Sequence, residues 1–204
     1  MEEAPERERR GDRTRRRIFA AAEEVFGRNG YHGASIEDIV REAEVGLGTF
    51  YVYFQSKLEA FSFIVSTRRA QWAEATFLGA DTADDQGEVL RRALSRHFRW
   101  IAGRPTLVHT FREAQFVDPS LVTTVYTDPV VSWSDALTRA MDAGSIQRGD
   151  ADALAWLLVG MAELVVLASV GWRTDAVPDA DTISAFADAA AKAIGLEPAE
   201  RVAR

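Results

Sequence analysis

The stretch VGLGTFYVYFQSK, residues 45–57, holds the run Phe50-Tyr51-Val52-Tyr53-Phe54, five residues in succession that favour strands. A strand here would stand alone, because the chain shows no second convincing strand, and its backbone N–H and C=O groups would have no ladder to join. The run is therefore predicted to be a short helix. At about 100° per residue, Leu47, Phe50 and Phe54 share one side, Gly48, Thr49, Val52 and Tyr53 share the other, and Tyr51 lies on the flank. One side is greasy and the other carries hydroxyls, which suits docking against something polar.

The remaining patterns are helical too. Ile18, Ala21, Ala22, Val25 and Phe26 repeat at helical spacing from Asp12 onward, and Asn29-Gly30 is predicted to close that helix. Ser35 with Asp38 forms a capping-box pattern that opens a second helix with a stripe of Ile36, Ile39, Val40 and Ala43. Ser56 with Glu59 repeats the pattern and starts a longer helix through Leu58, Phe61, Val65 and Trp72 to about Gly79. After a polar loop, Leu90, Leu94, His97, Phe98 and Ile101 mark another helix, and Leu107 to Phe116 a further one. Asp118-Pro119 and Asp128-Pro129 each offer an N-cap with proline in the first turn, read as two consecutive helices or one kinked helix. Asp150 caps an apolar helix to Trp172, and Ile183, Phe186, Ala190 and Ile194 mark a last one before Gly195. The expected fold is all-α, with no repeat.

The 204 residues are 47% hydrophobic, enough for a real core. There is no cysteine, and His32, His97 and His109 are scattered, so neither a disulfide framework nor a metal cluster is expected. The formal net charge of −7 argues against a nucleic-acid partner until its distribution is considered. Residues 7–17 hold seven arginines against Glu8 and Asp12, either a solvated tail or a locally basic, functionally separate end. The charged N-terminus lacks the apolar stretch of a signal peptide, so a cytoplasmic location follows by default. Residues 156–172, WLLVGMAELVVLASVGW, are too short for a membrane span, carry Glu163 and have no basic flank. A helix apolar all round is instead covered on both sides, most economically by a second copy of the chain.

Residues 35–54 thus read as helix, tight turn, helix, the geometry in which the second helix enters the DNA major groove. Phe50 and Phe54 would pin that helix, while hydroxyls of Thr49, Tyr51 and Tyr53 face phosphates and Gly48 allows close approach. The stretch SIEDIVREAEVGLGTFYVYFQSKLEAF, residues 35–61, with TRRRIFAAAEEVFGRNGYHGA before it, resembles the signature of TetR-type transcriptional regulators. That resemblance implies an all-α homodimer with an N-terminal three-helix helix-turn-helix DNA-binding domain and a C-terminal helical domain for effector binding and dimerisation. The expected division is a flexible charged arm over 1–11, the DNA-binding domain over 12–58 and the effector domain over 59–204. The candidate contacts to a double-stranded DNA operator are Arg13, Ser35, Gly48, Thr49, Tyr51, Val52, Tyr53 and Lys57. The chain departs from the family pattern at Glu44, commonly Gly, at Gly46, commonly Ser or Thr, and at Leu47, often basic. These changes add negative charge, weaken a side-chain cap and remove a phosphate contact.

The resemblance implies ligand-relieved DNA binding, usually repression, at a palindromic operator. The stretch HTFREAQFVDPSL, residues 109–121, weakly resembles the corresponding region of TetR-type regulators that respond to fatty acyl-CoA. Candidate effector contacts are Phe98, Phe111, Arg112, Gln115, Phe116 and Trp133, although aromatic stripes more often pack helices together. The expected effector is a small apolar or amphipathic molecule, with regulation of drug-efflux genes by cationic or aromatic compounds as an alternative. No cofactor, metal or catalytic residue is expected: Gly46-Leu47-Gly48 lacks the third glycine and preceding strand of a dinucleotide site, and no nucleophile–base pair can be assembled. A helical adaptor that binds protein rather than DNA is the reading from a different class.

Overall fold

The computed structural model describes residues 4–77, 85–167 and 179–196. Among these residues there is no strand; the order is α1 (Ala4–Gly33), α2 (Ile36–Glu42), α3 (Leu47–Tyr53), α4 (Lys57–Phe77), α5 (Gln86–Ala102), α6 (Pro105–Val117), a π-helical turn (Thr123–Thr127), α7 (Asp128–Asp142), α8 (Ala151–Leu167) and α9 (Ala180–Ala193). The fold is all-α, as the sequence implies. The chain forms two compact units, one of residues 1–68 and 109–122, the other of 69–108 and 123–204.

In the first unit Ile18, Val25 and Phe26 of α1, Ile39 of α2, Phe50 of α3, Phe54, and Phe61 and Ile64 of α4 are all buried. Their rings interlock, Phe26 and Phe61 edge-on with centroids 5.1 Å apart and Phe50 and Phe54 tilted at 5.6 Å. Truncating a ring in such a core costs about 3–5 kcal/mol, so Phe50 alone anchors α3 firmly. Ser35 caps α2 as expected: its hydroxyl accepts from the Asp38 amide at 3.1 Å, while the Asp38 carboxylate accepts the Ser35 N–H. At α4 the Glu59 amide donates to Ser56 Oγ, but the Glu59 carboxylate accepts from Gln55 N–H rather than from Ser56.

Two features of α1 differ from the sequence reading. The helix begins at Ala4, inside the stretch expected to be a flexible arm: Pro5 falls in the first turn, where it is tolerated, and the strong helix formers Glu and Arg carry the run through Gly11. At the other end it does not stop at Asn29-Gly30 but kinks at Gly30 (φ 68°, ψ 171°) and resumes to Gly33. The kink is tied down in three ways. The Tyr31 amide donates to the Glu113 carboxylate of α6 at 2.7 Å, Lys57 Nζ donates to the carbonyls of Tyr31 and Ala34 at 2.8 Å each, and the Tyr31 ring stacks on Phe26.

In the second unit α7 packs against α8 and α9 against α5. Leu90, Leu94 and Phe98 of α5, Trp133 and Leu137 of α7, and Ala155, Leu158 and Ala162 of α8 form its core. The expected proline-led helices resolve into a turn after Asp118, one π-helical turn and a single α7 with Pro129 in its first turn. Helix α8 has a second apolar face, with Trp156 52%, Leu157 45% and Leu164 58% exposed. The small residues Ala162 of α8 and Ala187 and Ala190 of α9 turn inward and are buried within the protomer. An alternating small-and-branched pattern cannot by itself choose between two apolar faces. Residues 168–172 of the expected helix lie outside the described residues. No helix among the described residues is long and apolar enough to cross a membrane.

Candidate nucleic-acid interface

Helix α3 follows α2 after a four-residue turn, residues 43–46, and Arg17 clamps that turn. One guanidinium nitrogen of Arg17 donates to the carbonyls of Ala43 at 2.6 Å and Glu44 at 3.2 Å and lies 3.4 Å from the Glu44 carboxylate. The reason the turn needs a clamp is visible at Glu44, which has φ +50°, a left-handed conformation that glycine adopts freely and an L side chain does not. This accounts for the glycine that TetR-type sequences commonly have here. The sequence reading treated Glu44 as an added charge and did not single out Arg17; the family's glycine was the available signal for the backbone. At the helix start Gly46 makes no side-chain cap, so α3 relies on packing rather than capping.

The division of α3 into two sides largely follows the helical wheel. Phe50 and Phe54 are buried, whereas Val52 is 76% and Tyr51 52% exposed. Leu47, assigned to the greasy side, is 44% exposed, because it opens the helix and its side lies beyond the packed rings. A Cβ at Gly48 would meet nothing within 4 Å, so this end of α3 is open to close approach. Thr49 is partly exposed beside it. Arg13 is exposed on α1.

Three candidate residues are engaged within the domain. Tyr53 donates its hydroxyl to the Gly11 carbonyl at 3.1 Å, which ties α3 to the start of α1. Lys57 spends two of its three N–H bonds on the kink carbonyls and sits over the Tyr31 ring at 4.4 Å. Ser35 donates to Asp38 Oδ2 at 2.6 Å, and that bond, helped by Arg41, holds the Asp38 carboxyl below the usual carboxylate range.

The candidate effector residues are divided between the two units. Phe98 and Trp133 are buried in the second unit. Phe111, Arg112, Gln115 and Phe116 belong to the first, with Arg112 exposed and Phe116 78% exposed. Helical spacing placed the latter four on one segment, but their segment packs with α1, as the Tyr31–Glu113 bond shows. No group of side chains suited to a metal ion occurs among the described residues.

Residues 18–61 match the family profile described as bacterial regulatory proteins, tetR family. The fatty acid metabolism regulator protein of Bacillus subtilis is 31% identical over 86 residues, 42% of this chain and 44% of that protein. The transcriptional activator FasR of Mycolicibacterium smegmatis is 31% identical over 97 residues, 48% of this chain and 42% of that one. The chain thus spans less than half the length of the curated relatives it matches. Among solved structures, FadR from Bacillus subtilis in complex with stearoyl-CoA has a TM-score of 0.72 at 22% identity, covering 88% of this chain and 96% of that one. The fatty acid degradation regulator FadR from Bacillus halodurans has a TM-score of 0.73 at 21% identity over 92% and 96%. At that identity the structures speak for the fold alone, and the sequence match places the N-terminal helices, residues 18–61, with the tetR family of bacterial regulatory proteins.

Proposed function

We propose that this protein binds double-stranded DNA as a homodimer, places α3 of each copy in the major groove of one half of a palindromic operator, and is released by an apolar or amphipathic small molecule. The carrying observation is the split of α3 into a buried Phe50–Phe54 side and an exposed side of Tyr51 and Val52 with the open Gly48. A helix so divided is fixed to its domain and presents its other face outward. Tyr51, Thr49 and Arg13 suit phosphates, and Val52 suits a thymine methyl. Occupying an operator most simply represses the gene beside it.

The second copy has a fitting surface on α8. Trp156, Leu157 and Leu164 are exposed on one side, and between them a Cβ at Gly160 would meet nothing within 4 Å, which permits close helix approach. The relatives that regulate fatty acid metabolism, and the neighbour that holds stearoyl-CoA, favour an acyl compound as the effector to test first.

The test is fluorescence anisotropy with a duplex selected from a random pool. Affinity should fall linearly with log salt, by about 0.9 log units per phosphate neutralised for each decade. Adding acyl compounds, as free fatty acids and as acyl-CoAs, to the formed complex should lower anisotropy in a chain-length-dependent way with at least one of the two series. Binding to no duplex at low salt would sink the reading and leave the helical adaptor. Sedimentation equilibrium tests the dimer, which Trp156→Asp should dissociate.

A further inference from the structure

The second unit holds a set of polar side chains that its packing does not explain. Arg69 is only 8% exposed, and its Nε and Nη2 are buried with no hydrogen-bond partner. Thr76 Oγ1, His97 Nε2 and Trp133 Nε1 are likewise buried and unpartnered, in residues exposed by 2% or less. Arg69, His97 and Trp133 lie along one chain of contacts, and Thr76 stands on α4 one helical turn after Trp72. The Arg69 guanidinium sits 3.7 Å from the centre of the Trp72 ring, Trp72 and His97 rings are 5.5 Å apart, and His97 and Trp133 rings are 5.5 Å apart. Phe77 closes the series at 5.0 Å from Trp133.

Their chemistry has one sign. Trp72 Nε1–H donates to His97 Nδ1 at 2.8 Å, so Nδ1 carries no proton, and a neutral imidazole then bears its proton on Nε2. Burial and the Arg69 charge push the His97 pKa down to about 3, which keeps the ring neutral. The indole N–H of Trp133 and both Arg69 nitrogens only donate. Nε and Nη2 also form the side-on edge of the guanidinium, the edge whose parallel N–H bonds match the two oxygens of a carboxylate. Asp128 favours the charged form of Arg69 through its field but bonds to neither of these atoms. Burial otherwise opposes that charge, pushing the Arg69 pKa down to about 9.

Buried donors without acceptors, next to a buried cation and flanked by four aromatic rings, are the lining expected of a site for an apolar acid. We propose that Arg69, His97, Trp133 and Thr76 form an anion receptor that takes the free carboxylate of an aliphatic or aromatic acid, with the Arg69 edge binding both oxygens and the rings covering the apolar body. This rests on the ligand-responsive reading above and narrows it: the head group is a free carboxylate, not a thioester.

Direct binding to the DNA-free protein tests it, so the outcome is independent of any operator. Straight-chain fatty acids of several lengths and phenyl- and indole-substituted acids are titrated by calorimetry and by Trp fluorescence, beside their methyl esters and the matching acyl-CoAs. At least one acid should bind and quench Trp emission, and its ester should bind at least tenfold more weakly. Arg69→Met should lower affinity for the acid at least tenfold while leaving the ester unchanged. It should also raise the melting temperature of the free protein, since it removes an unpaired buried charge; a merely structural arginine would lower it. Trp133→Phe, which keeps the ring, should weaken acid binding several-fold and serves if Arg69→Met does not fold. The proposal falls if no acid binds, if esters or acyl-CoAs bind as tightly as acids, or if neither variant discriminates between them.

Discussion

Two substitutions at Glu44 separate the two effects this residue has on the turn before α3. The left-handed backbone at φ +50° costs an L-residue about 1–2 kcal/mol, which glycine avoids. Glycine also loosens the unfolded chain, which offsets about 0.4–1 kcal/mol of that relief. The Arg17–Glu44 pair, at 3.4 Å with side chains 46% and 86% exposed, adds no more than about 0.5 kcal/mol once solvent screening is allowed for. Arg17 keeps its bonds to the carbonyls of Ala43 and Glu44 in either variant. Glu44→Gly should therefore be as stable as the parent or up to about 1 kcal/mol more stable, whereas Glu44→Gln, which keeps the strained backbone, should lose up to about 0.5 kcal/mol. DNA binding should respond to charge alone. A carboxylate about 10 Å from a phosphate in water meets about 0.4 kcal/mol of repulsion from each, cut by salt to roughly a third. Summed over a few phosphates, with Arg17 freed from its partner, this predicts about three- to fivefold tighter binding at low salt for both variants. Urea unfolding followed by circular dichroism reads the first quantity and duplex anisotropy the second. Equal stability of the two variants would refute the strain argument, and unchanged affinity of Glu44→Gln would remove Glu44 from the neighbourhood of the duplex.

Val52→Ala should change which selected duplex is preferred, while Tyr51→Phe should weaken all duplexes alike by about 1 kcal/mol, the value of one hydroxyl bond, as read by competition binding. Gly30→Ala forces a side chain into φ 68° and puts its Cβ 3.0 Å from the Glu113 carboxylate, so chemical denaturation should show a loss of about 1–3 kcal/mol. Lys57→Met keeps the aliphatic stem over Tyr31 but removes both bonds to the kink carbonyls, a loss of about 2–3 kcal/mol in the same assay. His97 stays neutral in the folded state down to a pKa of about 3, while the unfolded chain protonates it near 6.5. Its contribution is complete above pH 6.5 and declines as pH falls toward 3, by up to about 5 kcal/mol at 1.36 kcal/mol per decade. Stability against pH for His97→Phe should be flatter over that window.

What was legible in the sequence is what local spacing controls. The Ser35–Asp38 box, the buried Phe50 and Phe54 and the exposed Val52 follow from a cap pattern and a helical wheel, both short-range. The apolar surround of α8 was legible as well, but not which residues face out, because Ala162 and Trp156 both satisfy an all-apolar pattern. The kink at Gly30 was read as a stop, since glycine after asparagine usually ends a helix and only the Glu113 carboxylate, far along the chain, shows why this one resumes. Arg69 had a visible signal: it occupies the apolar stripe of α4, four residues after Val65 and three before Trp72, where a cation is out of place. A wheel shows that oddity but not whether the arginine finds a partner, and the same holds for His97 on the stripe of α5.

The first unit is not a continuous piece of chain. Residues 109–122 complete it after forty residues that belong elsewhere, and the Glu113 carboxylate from that return segment holds the backbone at Tyr31. Cutting after α4 would strip the kink of its acceptor and expose the surface that buries Ala114, 0% accessible in the intact chain. Recombination faces the same constraint. A chimera that exchanges everything after residue 68 brings a foreign segment to the end of α1, so a domain swap in such a chain preserves its helix-turn-helix only when the donor supplies an acceptor where Glu113 stands.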